Sequence, residues 1–271
     1  MKELIGELLG TFVLVLFGCG SVAVAVLFGE YGSIFQVGAV WGMGVTLAIY
    51  LTRHLSCAHL NPAVTIAMAV SRRMSFRSVP KYLAAQLAGA FLAGLTVYLL
   101  FSPSIAAYES AHGVVRGTAE SVQTARMFGE FYHNPSSIAV VSMPLAMGAE
   151  AFGTFLLCLL IFALTEGCNV GRPSSTVAPV FIGAAVTSII CLIAPLTQAG
   201  LNPARDFGPR LVAWIMGWGN AAFPDSSGGF FFVYILSPVA GGIVAALFFL
   251  HILEPAMKRT SAPCRCKKGE A

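Results

Sequence analysis

Two short stretches, His59-Leu60-Asn61-Pro62-Ala63 and Gly200-Leu201-Asn202-Pro203-Ala204, decide how this chain folds. Each follows an apolar run and begins a segment that is too short to cross a bilayer, which takes roughly 20 mostly apolar residues. Asn is a favoured helix N-cap, and Pro suits the next position because its missing N–H would have no intrahelical partner there. Each stretch therefore predicts the start of a half-helix.

A second pair of similar stretches indicates that the chain is duplicated. Glu7-Leu8-Leu9-Gly10-Thr11-Phe12 returns as Glu150-Ala151-Phe152-Gly153-Thr154-Phe155, at nearly the same spacing as the two Asn-Pro-Ala motifs. Each half holds three apolar runs, an odd number, so the two copies enter the membrane from opposite sides and form an inverted repeat. We expect a single transmembrane channel domain over residues 1–271, with repeats of about 1–135 and 136–255.

The composition excludes an ordinary soluble domain. Of the 271 residues, 57% are hydrophobic and only 10% are charged. Apolar stretches long enough to span a bilayer are centred near Leu16, Ala48, Leu92, Leu157, Thr187 and Ala245. The predicted fold class is an all-α membrane protein with six transmembrane helices plus two half-helices in an inverted three-plus-three repeat.

The distribution of charge predicts the orientation in the membrane. Cytoplasmic loops of helical membrane proteins carry an excess of Lys and Arg. With both termini in the cytoplasm, twelve of the 16 basic residues lie inside, and the others, Arg116, Arg126, Arg205 and Arg210, lie outside. No basic patch is left that would require a nucleic acid. Residues 256–271 form a short basic cytoplasmic tail, in which Cys264 and Cys266 could hold a metal or an acyl chain, although a solvated tail is favoured.

The residues before each Asn are predicted to line a pore. Non-helical backbone is tolerated at membrane depth only where it is buried in protein or lines a water-filled cavity. The N-terminus of each half-helix acts as roughly half a positive charge, so two of them near the midplane raise the energy of a cation there. The side-chain amides of Asn61 and Asn202 can donate to a passing oxygen. The expected pore carbonyls belong to Cys57, Ala58, His59 and Leu60 and to Gln198, Ala199, Gly200 and Leu201.

These motifs resemble those of the aquaporin and aquaglyceroporin family, from Glu7 to about Leu253. Three features are similar to the glycerol-facilitator branch: Asp206 directly after Arg205, the stretch Trp41-Gly42-Met43-Gly44-Val45, and the loop over residues 112–121. The resemblance implies a six-helix bundle with two half-helices, a homotetramer with four pores, and neither a cofactor nor a metal. It also implies that Glu7 and Glu150 brace the loops before the half-helices, rather than binding protons as they could in a transporter.

The same resemblance implies a selectivity filter made of Trp41, Ile190, Ala199 and Arg205. Where the glycerol-facilitator branch typically has Gly and a second aromatic residue, this chain has Ile190 and Ala199, a combination similar to the nodulin-26-like channels. The expected cargo is therefore glycerol, other small neutral solutes and some water. A channel for urea, ammonia, undissociated lactic acid or a neutral metalloid hydroxide remains an alternative.

Three residues outside the filter carry further expectations. His59 could act as a pH-sensitive gate, although packing beneath the loop is favoured. A gating role for His54, at the cytoplasmic mouth, is likewise not favoured. Cys57 borders the pore, so we expect a mercurial to block conduction.

The sequence thus predicts a passive, multi-pass channel, which we expect in a bacterial inner membrane. A secondary transporter is a less favoured alternative, since inverted repeats with broken helices also build those. An enzyme is not expected, because the sequence has no nucleophile and base pair, metal-ligand cluster or phosphate loop.

Overall fold

The computed structural model describes residues 1–132, 139–225 and 228–259, and within these ranges the regular structure is helical. In chain order the helices are α1 (Lys2–Phe28), α2 (Ile34–Thr52), α3 (Pro62–Val70), α4 (Val79–His112), α5 (Val122–Ala125), α6 (Met143–Thr165), α7 (Ala178–Thr197), α8 (Pro203–Ala213), α9 (Ser237–Phe248) and α10 (Glu254–Arg259).

Six helical segments of the described residues are long and apolar enough to cross a membrane. Five of them contain α1, α2, α4, α6 and α7. The sixth, Phe230–Lys258, joins α9 and α10 to the π-helical turns at Phe230–Leu236 and Phe249–Leu253. This segment extends into the predicted cytoplasmic tail, because α10 continues to Arg259, and residues 260–271, with Cys264 and Cys266, lie outside the described residues.

The two half-helices begin as the Asn-Pro pattern predicts. The Asn61 side chain accepts a hydrogen bond from the backbone N–H of Ala63 at 2.8 Å. The Asn202 side chain accepts from Ala204 at 3.1 Å and from Arg205 at 3.2 Å. With 9 residues in α3 and 11 in α8, at about 1.5 Å per residue, neither can span a hydrocarbon core of about 30 Å.

The two halves of the chain repeat one packing arrangement. Helix α1 packs against α2 and α4, and α6 packs in the same way against α7 and α9. Each half-helix packs against a span of the other half: α3 lies against α9, and α8 lies against α4. The halves therefore interlock, and the N-termini of the half-helices meet inside the bundle.

The crossing of α2 and α7 joins the two halves through a very close backbone contact. A Cβ atom on Gly42 would lie 2.4 Å from the carbonyl oxygen of Gly183, and one on Gly183 would lie 2.3 Å from that of Gly42. Thr46 donates to the Gly42 carbonyl at 3.0 Å, and Thr187 donates to that of Gly183 at 3.2 Å. Small residues allow such close packing of membrane helices. The contact fixes Trp41 of α2 beside α7.

Candidate functional site

The two asparagines link the half-helices to each other. The Asn61 amide donates to the carbonyl oxygen of Leu201 at 3.0 Å, and the Asn202 amide donates to that of Leu60 at 2.8 Å. Both asparagines also line a narrow internal cavity. Because a side-chain amide has two N–H groups, each Asn retains one that can donate to a molecule in that cavity.

Glu7 of α1 holds the loop that leads into α3. Its carboxylate accepts hydrogen bonds from the backbone N–H groups of His59 at 3.0 Å and Leu60 at 2.8 Å. It also accepts from the Ser56 hydroxyl and the Gln86 amide, each at 2.7 Å. The side chain is fully buried, and these four bonds occupy the acceptor capacity of its two oxygens.

Glu150 of α6 holds the other loop in the same way. Its carboxylate accepts from the backbone N–H groups of Gly200 at 2.8 Å and Leu201 at 2.7 Å, and from the Thr197 hydroxyl at 2.6 Å. Neither Glu150 nor Glu7 lines the passage described below. Both carboxylates therefore act as internal acceptors for the loops rather than as groups that a solute meets.

The loops themselves have an unusual backbone. The φ angles of Ala58 (50°), Leu60 (54°), Gln198 (63°), Ala199 (64°) and Leu201 (56°) all lie in the left-handed region. For residues with a side chain this conformation costs on the order of 1–3 kcal/mol each and persists only where the surroundings enforce it. The carboxylates of Glu7 and Glu150 supply that enforcement, and the result is a run of backbone that does not use its carbonyls in helical bonds.

Three adjoining cavities form a passage through the bundle. The Arg205-side vestibule has a volume of about 480 Å³, the central passage about 70 Å³ and the His54-side vestibule about 510 Å³. Trp41, Ile190 and Arg205 line both the first cavity and the second, and Ala58 and His59 line both the second and the third. The molecule thus has two wide mouths and a narrow middle.

All the predicted pore-carbonyl residues line this passage. Ala58, His59, Leu60, Ala199, Gly200 and Leu201 line its central part, whereas Gln198 lines the Arg205-side vestibule and Cys57 the His54-side vestibule. The carbonyls of Leu60 and Leu201 accept from the opposite asparagines, a use that the sequence did not indicate.

The four predicted filter residues meet at the narrow end of the Arg205-side vestibule. Trp41, Ile190, Ala199 and Arg205 are all buried and all line the central passage. The Arg205 guanidinium lies over the Trp41 ring, 4.1 Å from its centroid. A Cβ atom on Gly18 of α1 would lie 2.2 Å from that ring, so only glycine leaves room for the indole. Gly18 had no sequence signal beyond being a glycine within an apolar run.

Two buried ion pairs lie at the constriction. Arg205 pairs with Glu130, in the segment between α5 and α6, and both side chains are 5% exposed. Asp206 pairs instead with Arg210, at 2.7 Å. The Glu130 backbone is fixed as well, because its N–H donates to Asp206 at 2.7 Å and its carbonyl accepts from Arg210 at 2.7 Å. Burial raises the pKa of the Glu130 carboxyl to about 7, although the Arg205 cation opposes that shift.

Residues 1–249 match the protein family described as Major intrinsic protein. The chain belongs to the major intrinsic protein family. It is 40% identical over 255 residues to the glycerol uptake facilitator protein of Escherichia coli (strain K12), covering 93% of this chain and 88% of that one. It is 37% identical over 273 residues to the propanediol uptake facilitator PduF of Citrobacter freundii, covering 99% and 96%. Among solved structures it is similar to the aquaglyceroporin from Plasmodium falciparum, with a TM-score of 0.82 and 28% identity over 96% of this chain and 99% of that one.

This major intrinsic protein is therefore an integral, multi-pass membrane protein with the aquaporin fold, and a channel rather than an enzyme. Among its described residues, no group of three or more His, Cys, Asp or Glu side chains could hold a metal ion.

The remaining predicted residues lie at the other mouth of the passage. Cys57 is exposed in the His54-side vestibule. The His59 ring packs against Tyr82, with centroids 5.2 Å apart, and its buried Nδ1 has no hydrogen-bond partner among the described residues. His54 lines the same vestibule.

Proposed function

We propose that this chain is a passive channel that conducts glycerol, other small neutral solutes and some water, and excludes ions and protons. The observation that carries the proposal is the passage itself, in which Arg205 and Trp41 face each other above the amides of Asn61 and Asn202. The relatives named as glycerol and propanediol uptake facilitators support a polyol as cargo.

The order of groups along the passage suits a polyol. In the Arg205-side vestibule, guanidinium N–H groups donate to hydroxyl oxygens, and Trp41 and Ile190 supply an apolar wall for the carbon backbone. Further in, the carbonyls of Ala199 and Gly200 accept hydroxyl hydrogens, as carbonyl rings do in channels generally. A hydroxyl group therefore exchanges water for protein partners while its carbon atoms stay against apolar side chains.

Ions are excluded because the passage offers them little compensation for lost water. The N-termini of α3 and α8 act as roughly half a positive charge each. At about 5 Å and an effective dielectric constant of about 20, the two together raise the energy of a cation by about 3 kcal/mol, on the order of 10²-fold in population. The amides of Asn61 and Asn202 only donate to water at the centre, which interrupts a continuous chain of proton carriers.

A second cargo class is favoured by the composition of the constriction. Trp41 is the only aromatic side chain among its four predicted residues, and Ile190 and Ala199 form the rest of the wall. Such a wall also suits compact neutral molecules such as ammonia, urea, undissociated lactic acid or a metalloid hydroxide. The ratio of permeabilities between these solutes and glycerol distinguishes the two candidates.

Assembly and location follow from the same proposal. Each chain holds a complete passage, so a homotetramer would have four separate pores. Large apolar side chains such as Leu99, Leu100 and Leu192 are exposed on the bundle, where they would meet lipid or neighbouring copies. We propose a bacterial inner membrane, with both termini in the cytoplasm and the Arg205-side vestibule outside.

Stopped-flow light scattering on proteoliposomes tests the function directly. We expect glycerol permeability well above that of empty liposomes, a flux linear in the glycerol gradient, and no response to a proton gradient. A flux that saturates and follows a proton gradient would instead support a secondary transporter. Negligible glycerol flux together with rapid flux of lactic acid, ammonia or a metalloid hydroxide would favour the second cargo class.

A further inference from the structure

The most unusual feature of the constriction is the acid that contacts its arginine. Glu130 and Arg205 form a buried ion pair at the bottom of the Arg205-side vestibule, and Glu130 lines that vestibule. The guanidinium is consequently held on two sides, by the carboxylate and by the face of Trp41. Its charge is cancelled locally, and the N–H group that bonds Glu130 is not available to a solute.

We propose that Glu130 is a specificity-determining residue of the channel, whose protonation from the Arg205-side vestibule changes the charge and the position of Arg205 and thereby controls solute flux. This inference rests on the proposed channel function and concerns its regulation. With Glu130 ionised, the pair is neutral and the guanidinium stays against Trp41. With Glu130 protonated, Arg205 carries an uncompensated charge and loses a charge-assisted hydrogen bond.

The position of one guanidinium matters because the passage is small. The central cavity, with a volume of about 70 Å³, begins where Arg205 meets Trp41. A guanidinium released from the carboxylate can move into that opening and hold solute oxygens more tightly. Both effects slow a neutral solute, so acidification on the Arg205 side lowers glycerol flux and strengthens the exclusion of cations.

Glu130 is the group that titrates near neutral pH among the charged and titratable side chains that face it. The charged and titratable groups that face it are Arg205, Asp206 and Arg210 of α8, Cys19 of α1, Tyr234 of the sixth span and Arg126 of its own segment. Guanidinium, thiol and phenol groups ordinarily titrate above about pH 8. Asp206 accepts two hydrogen bonds from Arg210. Because burial raises the Glu130 pKa to about 7, the pair is neutral above that pH and positive below it.

The experiment compares the pH dependence of flux in the wild type with that in Glu130→Gln. Glutamine can still accept a hydrogen bond from Arg205 but carries no charge at any pH. We expect wild-type glycerol permeability to fall by roughly fivefold between about pH 8 and about pH 5.5, since a charge-assisted bond becomes a neutral one. Glu130→Gln should stay at the low value at both pH values. Glu120→Gln, which removes an exposed carboxylate from the same side of the molecule, should keep the wild-type profile.

Two further measurements test the role of Glu130 independently of whether glycerol is the cargo. Water permeability of the same vesicles should follow the same pH profile even if glycerol proves not to be the cargo. On acidification of the protein in detergent through about pH 7, infrared spectra should gain a protonated-carboxyl band that is larger in the wild type than in Glu130→Gln, because only the wild type has this carboxyl. A wild-type profile that survives in Glu130→Gln would overturn the proposal and point to Glu150, His54 or His59. A carboxyl band of equal size in the wild type and in Glu130→Gln would overturn it independently of transport.

Discussion

The loops that lead into α3 and α8 share one scaffold but present different residues to the passage. In both, a buried glutamate accepts the N–H groups of the two residues before the Asn, and a hydroxyl side chain bonds the same carboxylate. After Asn-Pro-Ala, however, the first half has Val64, buried among apolar side chains, whereas the second has Arg205 in the constriction. The duplicated residues build the support, and the residues that differ line the proposed selectivity filter.

This asymmetry separates residues that recur in both halves of the chain from residues that occur in one half only. A residue that recurs in both halves, such as Glu7 with Glu150, accepts backbone N–H groups that the loop of its own half would otherwise leave unpaired. A residue found in one half only, such as Arg205, gives its own end of the passage a property that the other end lacks. Substitutions can test the two kinds separately.

The largest expected effect comes from removing a brace. Glu150→Ala leaves two backbone N–H groups and the Thr197 hydroxyl without their acceptor, at about 1–3 kcal/mol per buried donor. We expect roughly 3–6 kcal/mol of lost stability, or a fall of roughly 10 °C in the unfolding midpoint. Thermal unfolding followed by size-exclusion chromatography measures this.

Glu7→Ala should lower the unfolding midpoint at least as much, because four groups donate hydrogen bonds to Glu7 and three donate to Glu150. The exposed Glu120→Ala serves as the control and should leave the midpoint unchanged. If either glutamate could be replaced by alanine without lowering the midpoint, the shared scaffold would not depend on these carboxylates.

The next largest effect is expected on proton leak, when the residue after the second Asn-Pro-Ala motif is made the same as the residue after the first. Arg205→Val gives the second half the residue that the first half has at Val64, and leaves the Glu130 carboxylate without its cation. Without its cation the buried Glu130 carboxyl keeps its proton to a higher pH. Above that pH, a unit negative charge about 5 Å from the passage, at an effective dielectric constant of about 20, attracts a cation by about 3 kcal/mol. We therefore expect the proton leak into vesicles, reported by an enclosed pH dye, to rise on the order of 10²-fold.

A double variant and a matched control sharpen this result. Arg205→Val combined with Glu130→Gln is neutral and should return the leak close to the wild-type level, while solute selectivity stays impaired. Val64→Ala changes the matching position of the first half and should have no effect on the leak. A double variant that leaks as much as Arg205→Val would mean that the arginine itself, rather than the balance of charge, excludes protons.

Much of this arrangement followed from the sequence because it depends on local or repeated patterns. The Asn-Pro pairs predict the half-helices and their caps, and the recurrence of Glu7 as Glu150 predicts two equivalent positions. The Glu130 pair did not follow, because the partner of a buried arginine depends on the path of a loop distant in sequence. Nor did the contact of Gly18 with Trp41, which depends on how α1 and α2 cross.

A smaller effect is expected from changing the shape of the filter without changing its charge. Ile190→Gly combined with Ala199→Phe moves apolar bulk from α7 to the loop before α8. Differences of a few methylene groups in an apolar pocket change selectivity by roughly tenfold. We expect the ratio of glycerol to water permeability to rise by roughly that factor. Ala58→Phe, the equivalent change in the first loop, lies away from Arg205 and should not raise the ratio.

The outcome of the filter variant also decides between the two cargo classes. High wild-type glycerol flux, further improved by the substitutions, supports a glycerol channel with an altered but permissive filter. Negligible wild-type flux that the substitutions restore means that the constriction is tuned to a more compact neutral solute.

The smallest effect on conduction is expected from replacing the Cys57 thiol, a reactive group that the second loop lacks at the matching position. Cys57 and Gln198 occupy matching places before the two Asn residues, each at its own mouth of the passage. The thiol of Cys57 is exposed, whereas those of Cys19 and Cys158 are buried. We expect a mercurial to block wild-type flux, and Cys57→Ser to conduct normally and resist the block. Adding Gln198→Cys to Cys57→Ser should then restore sensitivity from the Arg205 side. Equal sensitivity of the wild type and Cys57→Ser would mean that the reagent acts elsewhere, and that this difference between the loops has no bearing on access to the pore.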